Sequence, residues 1–177
     1  MMIESDIREK VRQRAGFACE FCGITEADCG GYLTIDHFCP RSKGGEDSLD
    51  NLLYCCIHCN QYKLDYWPTN PGDPVLWNPR NESASFHFLE LDDGNLIALT
   101  EIGAFTLRCL RLNRPPLIAY RLQKNKSDHY NRLLSQYRDL TKSLEKLLYQ
   151  QAELIDEQQR LLKQQSRLLQ ILLQRNK

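Results

Sequence analysis

Nowhere in this chain do about 18 apolar residues run together, so no segment is expected to span a membrane. The first residues, MMIESDIREKVRQR, are charged where a secretory leader would be apolar. Net charge is missing too: 23 lysines and arginines balance 23 aspartates and glutamates over 177 residues. That balance excludes a broadly basic coat for nucleic acid and leaves only local stripes for such a partner. It is uneven along the chain. Residues 1–123 carry 12 basic and 17 acidic side chains, a net of −5, and residues 124–177 carry 11 and 6, a net of +5. From Tyr130 onward there is neither proline nor glycine, so nothing there interrupts a helix.

Cysteine is not scarce. Four of the eight form two Cys-x-x-Cys pairs, Cys19 with Cys22 and Cys56 with Cys59. Two residues between thiols let both sulfurs of a tight knuckle face one ion, and two knuckles supply the four thiolates of a tetrahedral structural zinc site. Cys55 is an alternative ligand beside Cys56, but the two-residue spacing to Cys59 favours Cys56. Metal spacing argues for a reducing, cytoplasmic setting, with Cys29, Cys39, Cys55 and Cys109 as spare thiols.

The residues between the knuckles carry chemistry. Residues 32–38 (YLTIDHF) read as a short strand ending at Asp36-His37. Pro40 and Gly44-Gly45 force a loop, residues 52–56 (LLYCC) read as a second strand, and a helix starts near His58 with Asn60 and Lys63 on it. Neutral imidazole is a suitable proton acceptor near pH 7. A carboxylate and an amide oxygen are hard ligands suited to Mg²⁺ or Mn²⁺.

The series Cys-x-x-Cys, Asp-His, Pro-Arg-Ser-Lys-Gly-Gly, Asn-Leu, Cys-x-x-Cys-Asn, Lys resembles the HNH endonucleases of the ββα-metal type, over roughly residues 17–63. The resemblance implies His37 as general base, Asp36 as a ligand of the catalytic Mg²⁺ or Mn²⁺, and Asn51 as the residue holding the active-site loop. The third motif position, often His in the family, is Asn60 here, whose carbonyl can also ligate a hard cation. His58, inside the second knuckle, is an alternative for that position. Arg41, Lys43 and Lys63 are candidate phosphate contacts.

The flanking segments read more plainly. Ser5 is placed to cap a helix over residues 6–15 that ends at Gly16. Residues 66–80 are too rich in proline for regular structure, and Trp67 and Trp77 read as apolar plugs of the small core. Residues 85–100 read as a hairpin turning at Asp92-Asp93-Gly94-Asn95, followed by a helix from Thr100 or Glu101 to about Leu112. Between Ile102 and Ser127 lie Arg108, Arg111, Arg114, Arg121, Lys124 and Lys126 and no acid, the best candidate stripe for DNA. The phrase LTEIGAFTLRCLRLNRP resembles the downstream part of some bacterial, notably cyanobacterial, HNH proteins and assigns no residue a role. Pro115-Pro116 is expected to break the chain before the last helix.

In that helix Leu133, Leu140, Leu147, Leu154, Leu161 and Leu168 recur every seven residues. Tyr137, Leu144, Gln151, Gln158, Gln165 and Leu172 fill the alternate positions, a heptad pattern with leucine at d and a mixed a layer. Leu134, Leu148, Ile155, Leu162 and Leu169 form a second seam beside it.

The expected architecture is therefore α+β. A small ββα-metal finger stapled by a four-cysteine zinc site (1–66) is followed by a proline-rich wrap, β-hairpin and basic helix (67–123) and a long coiled-coil helix (124–177). The expected function is metal-dependent hydrolysis of DNA by a homo-oligomer joined through residues 130–173. The alternative is a zinc-stapled DNA-binding or scaffold protein that does not cut.

Overall fold

The computed structural model describes residues 3–175, with side chains through residue 171. Leu172, read above as the last a position, and the end of the 130–173 stripe lie outside the described side chains.

Two short antiparallel hairpins carry all the strands among the described residues. Strand β1 (Thr34–His37) pairs with β2 (Leu52–Cys55), His37 standing opposite Leu52 and Thr34 opposite Cys55. Helix α1 (Ser5–Arg14) lies beside β2 and buries Val11 with it. All four residues of β2 are buried, which is why its sequence is a continuous apolar run and not an alternation. Ser5 does not cap α1: it is the first helical residue, Glu4 takes the cap position, and no side chain bonds there. The sequence reading passed over helix α2 (Glu26–Cys29), a single turn closed by a capping box between Thr25 and Asp28. Helix α3 (Ile57–Lys63) follows β2 directly. Strand, loop, strand and helix thus come in the expected order.

The proline-rich residues 66–80 have no regular structure and line the same core. Trp77 is buried edge-on to Phe21 and Phe88, and Trp67 stands edge-on to Phe38. The second hairpin is shorter than expected. Ser83 accepts the Ser85 N–H and starts a helical turn, α4 (Ala84–His87), so exposed Phe86 belongs to that turn and not to a strand. Strands β3 (Phe88–Glu90) and β4 (Leu96–Ala98) then pair, with Leu89 opposite Ile97. Thr100 caps helix α5 (Glu101–Cys109) by accepting the Gly103 N–H at 3.0 Å.

Helix α6 runs from Pro115 to Arg175. The two prolines open this helix and do not break the chain before it. Its first turn needs no backbone donor, and proline's fixed φ suits that position. The chain divides into two compact units, Met1–Asn125 and Lys126–Lys177. In the first, Val11, Leu52, Leu53, Leu110, Leu112 and Leu117 are almost fully buried. In the second, every described side chain is exposed, the d-position leucines included. No helix among the described residues is long and apolar enough to cross a membrane.

Candidate active site and metal centre

Cys19, Cys22, Cys56 and Cys59 bring their sulfurs within 4.8 Å of one another. The Sγ atoms of Cys22 and Cys56 are 3.7 Å apart, close to the edge of about 3.8 Å that follows from tetrahedral Zn–S bonds of about 2.3 Å. Each knuckle has its own backbone reason. In the first, Gly23 N–H bonds to Cys19 O at 2.8 Å and Cys19 N–H to Ile24 O at 2.9 Å. In the second, Cys56 caps α3, its sulfur accepting the Cys59 N–H. Cys55 is buried beside the cluster but is outside the ligand set, its thiol lying 3.5 Å from Cys56 O. Thiols this close cannot all ionise unaided. Contact with Cys22 and the other thiols holds Cys19 well below the usual thiol range, while contact with Cys19 pushes Cys22 and Cys59 up. A divalent cation relieves that conflict. The donor set, its spacing and its burial all fit structural zinc.

The basic stripe does not survive as one surface. Arg114 turns onto the sulfur cluster, with Nη2 3.8 Å from Cys56 Sγ and from Cys59 Sγ and Nη1 3.9 Å from the latter. Its charge offsets that of the thiolates. Arg121 is buried and holds the second hairpin, donating to Gly94 O at 2.6 Å and Leu112 O at 3.0 Å. Arg108, Arg111 and Lys124 stay exposed, with the Arg111 guanidinium over the Tyr62 ring.

Asp36 and His37 end β1, beside α3. The Asp36 carboxylate faces Lys63 Nζ, 3.2 Å from Oδ2. The angle leaves that buried oxygen without a well-directed hydrogen bond. Burial pushes the Asp36 pKa up, against the pull of Lys63. Lys63, expected as a phosphate contact, is 1% exposed, and its ammonium donates to His37 O at 2.7 Å. It ties the end of β1 to α3. Asn60 sits one turn earlier on α3, with its amide nitrogen 3.4 Å from Thr34 Oγ1. Thr34 and Asp36 share one face of β1, and Asn60 and Lys63 one face of α3, so Asp36 and Asn60 belong to the same facing surfaces. His58 is exposed and lines a cleft of about 600 Å³ with Tyr32, Thr34 and Tyr62, a cleft that includes neither Asp36 nor His37.

Asn51 staples the loop between the strands. Its Oδ1 accepts the Cys39 N–H at 2.7 Å, and its Nδ2 donates to Cys39 O at 3.0 Å and Glu46 O at 2.9 Å. Gly45 must be glycine for the same reason: a Cβ there would overlap Cys39 O and come within 2.9 Å of Asn51 Nδ2. The loop delivers Asp47, which sequence reasoning missed. His37 Nε2 lies 2.7 Å from Asp47 Oδ1. Arg41 grips the same carboxylate, through Nε at 2.8 Å from Oδ1 and through Nη2 to Oδ2. Arg41 thus faces Asp47, and Lys43 is exposed at the end of the 3-10 turn Arg41–Lys43. The only signal for Asp47 was an acid ten residues after the histidine, in a loop with no periodicity to fix its direction.

A family model described as HNH endonuclease matches residues 19–65, and the four cysteines of the metal cluster lie within that segment, consistent with a zinc-type HNH unit. No curated protein and no solved structure matches the chain.

Proposed function

We propose that this protein is a metal-dependent endonuclease that hydrolyses DNA phosphodiester bonds. The observation that carries the reading is the end of β1, where His37 meets the Asn51-stapled loop and Asp36 faces α3. His37 accepts the proton of the attacking water. Asn51 keeps the loop closed around it, and Lys63 holds its backbone carbonyl. Asp36 and the Asn60 carbonyl would hold Mg²⁺ or Mn²⁺, which when bound draws charge from the phosphate and the leaving oxygen. The buried, poorly satisfied Oδ2 of Asp36 fits that role. The zinc, with four thiolates, has no open position and is structural. The phosphate contacts fall to Arg41 and Lys43, with Arg108 and Arg111 as outer basic contacts.

In this reading the leucine stripe of α6 packs against a second copy as a coiled coil. Two joined copies present two sites to the two strands of a duplex.

One observation favours a second reading, a DNA-binding module that does not cut. Lys63 already gives Asp36 a cationic partner at 3.2 Å, so a divalent ion would have to share or displace it. Incubation with supercoiled plasmid and Mg²⁺ or Mn²⁺, against an EDTA control, separates the two. Metal-dependent nicking is expected. Binding with intact plasmid selects the second reading.

A further inference from the structure

The loop closed by Asn51 raises the question of what it is closed for. It brings Asp47 to His37, and Asp47 in turn is gripped by Arg41 at both carboxylate oxygens. A carboxylate beside a guanidinium stays ionised: contact with Arg41 first, and with His37 second, holds Asp47 below the usual carboxylate range. An ionised carboxylate only accepts hydrogen bonds. The proton in the 2.7 Å contact therefore sits on His37 Nε2. Arg41 Nε, 3.3 Å from the same nitrogen, does not change this, because its N–H has the nearer acceptor in Asp47 Oδ1.

We infer that Asp47 is a positioning residue of the proposed hydrolysis, fixing His37 as the Nε2–H tautomer so that Nδ1 is the nitrogen that takes the water proton. The inference rests on the nuclease reading for its function, and on geometry alone for the tautomer. In the step, a water O–H bond breaks and its proton passes to Nδ1. The water oxygen forms a bond to phosphorus as the bond from phosphorus to the leaving oxygen breaks. That oxygen takes a proton from solvent, and the imidazolium later returns its proton to solvent. While the imidazolium exists, its Nε2–H keeps its direction toward Asp47 Oδ1. Asn51, Gly45 and Asp47 become one device: the amide closes the loop, the glycine permits the approach, and the carboxylate orients the base.

A rival role is steric. The same carboxylate could occupy the place of the scissile phosphate, with Arg41 released to the phosphate on binding. The two roles differ in kinetics. An orienting carboxylate acts on kcat, a blocking one on KM.

The test uses the full-length, zinc-loaded protein. Single-site variants Asp47→Ala, Asp47→Asn and Asp47→Glu are compared in plasmid nicking with Mn²⁺. The nitrogen shifts of ¹⁵N-labelled histidine are read for His37, with His37→Ala to assign the signal. Expected are a loss in kcat of about 10- to 100-fold for Ala and Asn, within the range a general base supplies, little change in KM, and partial recovery with Glu. Neutral His37 should show the Nε2–H tautomer in the wild type and a mixture in Asp47→Ala. Unchanged kcat, or a fall in KM with activity kept or raised, overturns the inference in favour of the blocking role. A wild-type Nδ1–H tautomer overturns it as well. If Asp47→Ala loses zinc, Asp47→Asn and the wild-type spectrum decide. If the wild type does not cut at all, the nuclease reading and the catalytic role of Asp47 fall together, and an Nε2–H signal would leave only the tautomer assignment standing.

Discussion

The two units of this chain are both rich in leucine, yet they treat it in opposite ways. In residues 1–125 leucines such as Leu52, Leu53, Leu110 and Leu117 vanish into one core. In the second unit, every described side chain from Lys126 to Ile171 is exposed. The first unit closes on itself because polar and metal-binding groups tie its short elements together: four thiolates, Arg114 on their sulfurs, Lys63 between β1 and α3, and Asn51 across the loop. Among the described residues the second has backbone helix bonds, local side-chain bonds such as Thr141 Oγ1 to Tyr137 O and Ser143 Oγ to Asp139 O, and exposed pairs such as Arg160 with Asp156, and such pairs contribute little. Two-stranded hairpins are marginal on their own, so the first unit depends on its ties. A long amphipathic helix is likewise incomplete without a partner.

The largest effect that would sharpen this contrast is loss of the zinc ligands. Cys59→Ser should abolish zinc binding and the cooperative melting of the first unit, since metal binding of about 10–16 kcal/mol in such small sites is folding free energy. Cys29→Ser and Cys109→Ser should melt near the wild type. Metal analysis and calorimetry check both, and a folded, zinc-free Cys59→Ser protein would break the account of the first unit.

A smaller loss is expected at the loop. Asn51→Ala removes three hydrogen bonds and leaves the Cys39 and Glu46 groups to find water. It should destabilise the unit by about 2–3 kcal/mol and lower nicking at least as much as Asp47→Ala. Denaturant unfolding gives the first number. A variant that keeps full activity would show that the loop needs no staple.

The tail should respond independently of the first unit. Leu147→Glu with Leu154→Glu replaces two d-layer side chains, each contributing roughly 1.5–3 kcal/mol if covered by a partner. Light scattering should change from oligomer to monomer, with the zinc content and the melting of the first unit unaltered. A wild type that is monomeric at micromolar concentration would contradict the coiled-coil reading.

Arg114→Met should weaken zinc affinity, read by competition with a chelator, by about 10- to 100-fold, the scale seen when groups behind metal ligands are changed, and Arg114→Lys should lie between. Equal affinities would mean that the guanidinium only packs beside the sulfurs.

The smallest effect concerns pH. Glu26, bonded first to Arg12 and also to Tyr54, has its pKa held below the usual carboxylate range. A lowered folded pKa adds stability above the unfolded value, near pH 4.5, and that stability is lost as pH falls through the folded one. Glu26→Gln should therefore narrow the difference in melting temperature between pH 7 and pH 3. An unchanged difference would remove this tie from the account.

Spacing made much of this site legible in the sequence. Two Cys-x-x-Cys pairs need only local geometry to aim their sulfurs. β1, β2 and α3 followed from composition and from Pro40 and Gly44-Gly45. What escaped was long-range pairing between side chains. Lys63 read as a phosphate contact, and Arg114 and Arg121 as part of a basic stripe, because charge is visible in a sequence and burial is not. In the fold each of them meets acceptors supplied by a different element. Asp47 escaped because a loop has no period, so its direction depends on Asn51 and Gly45 acting together. The tail is the reverse case: its period is plain, but its described side chains stay exposed in the single chain.

The central claim is that the first unit is a nuclease site built on a zinc staple that takes no part in the chemistry. Its most direct test is supercoiled plasmid with full-length wild type and His37→Ala, both shown to hold one equivalent of zinc, in Mg²⁺ or Mn²⁺. Metal-dependent nicking is expected of the wild type, with a loss of about 100-fold or more in His37→Ala at equal zinc content. Cutting by His37→Ala at the wild-type rate, or a wild type that binds DNA and never cuts it, would contradict it.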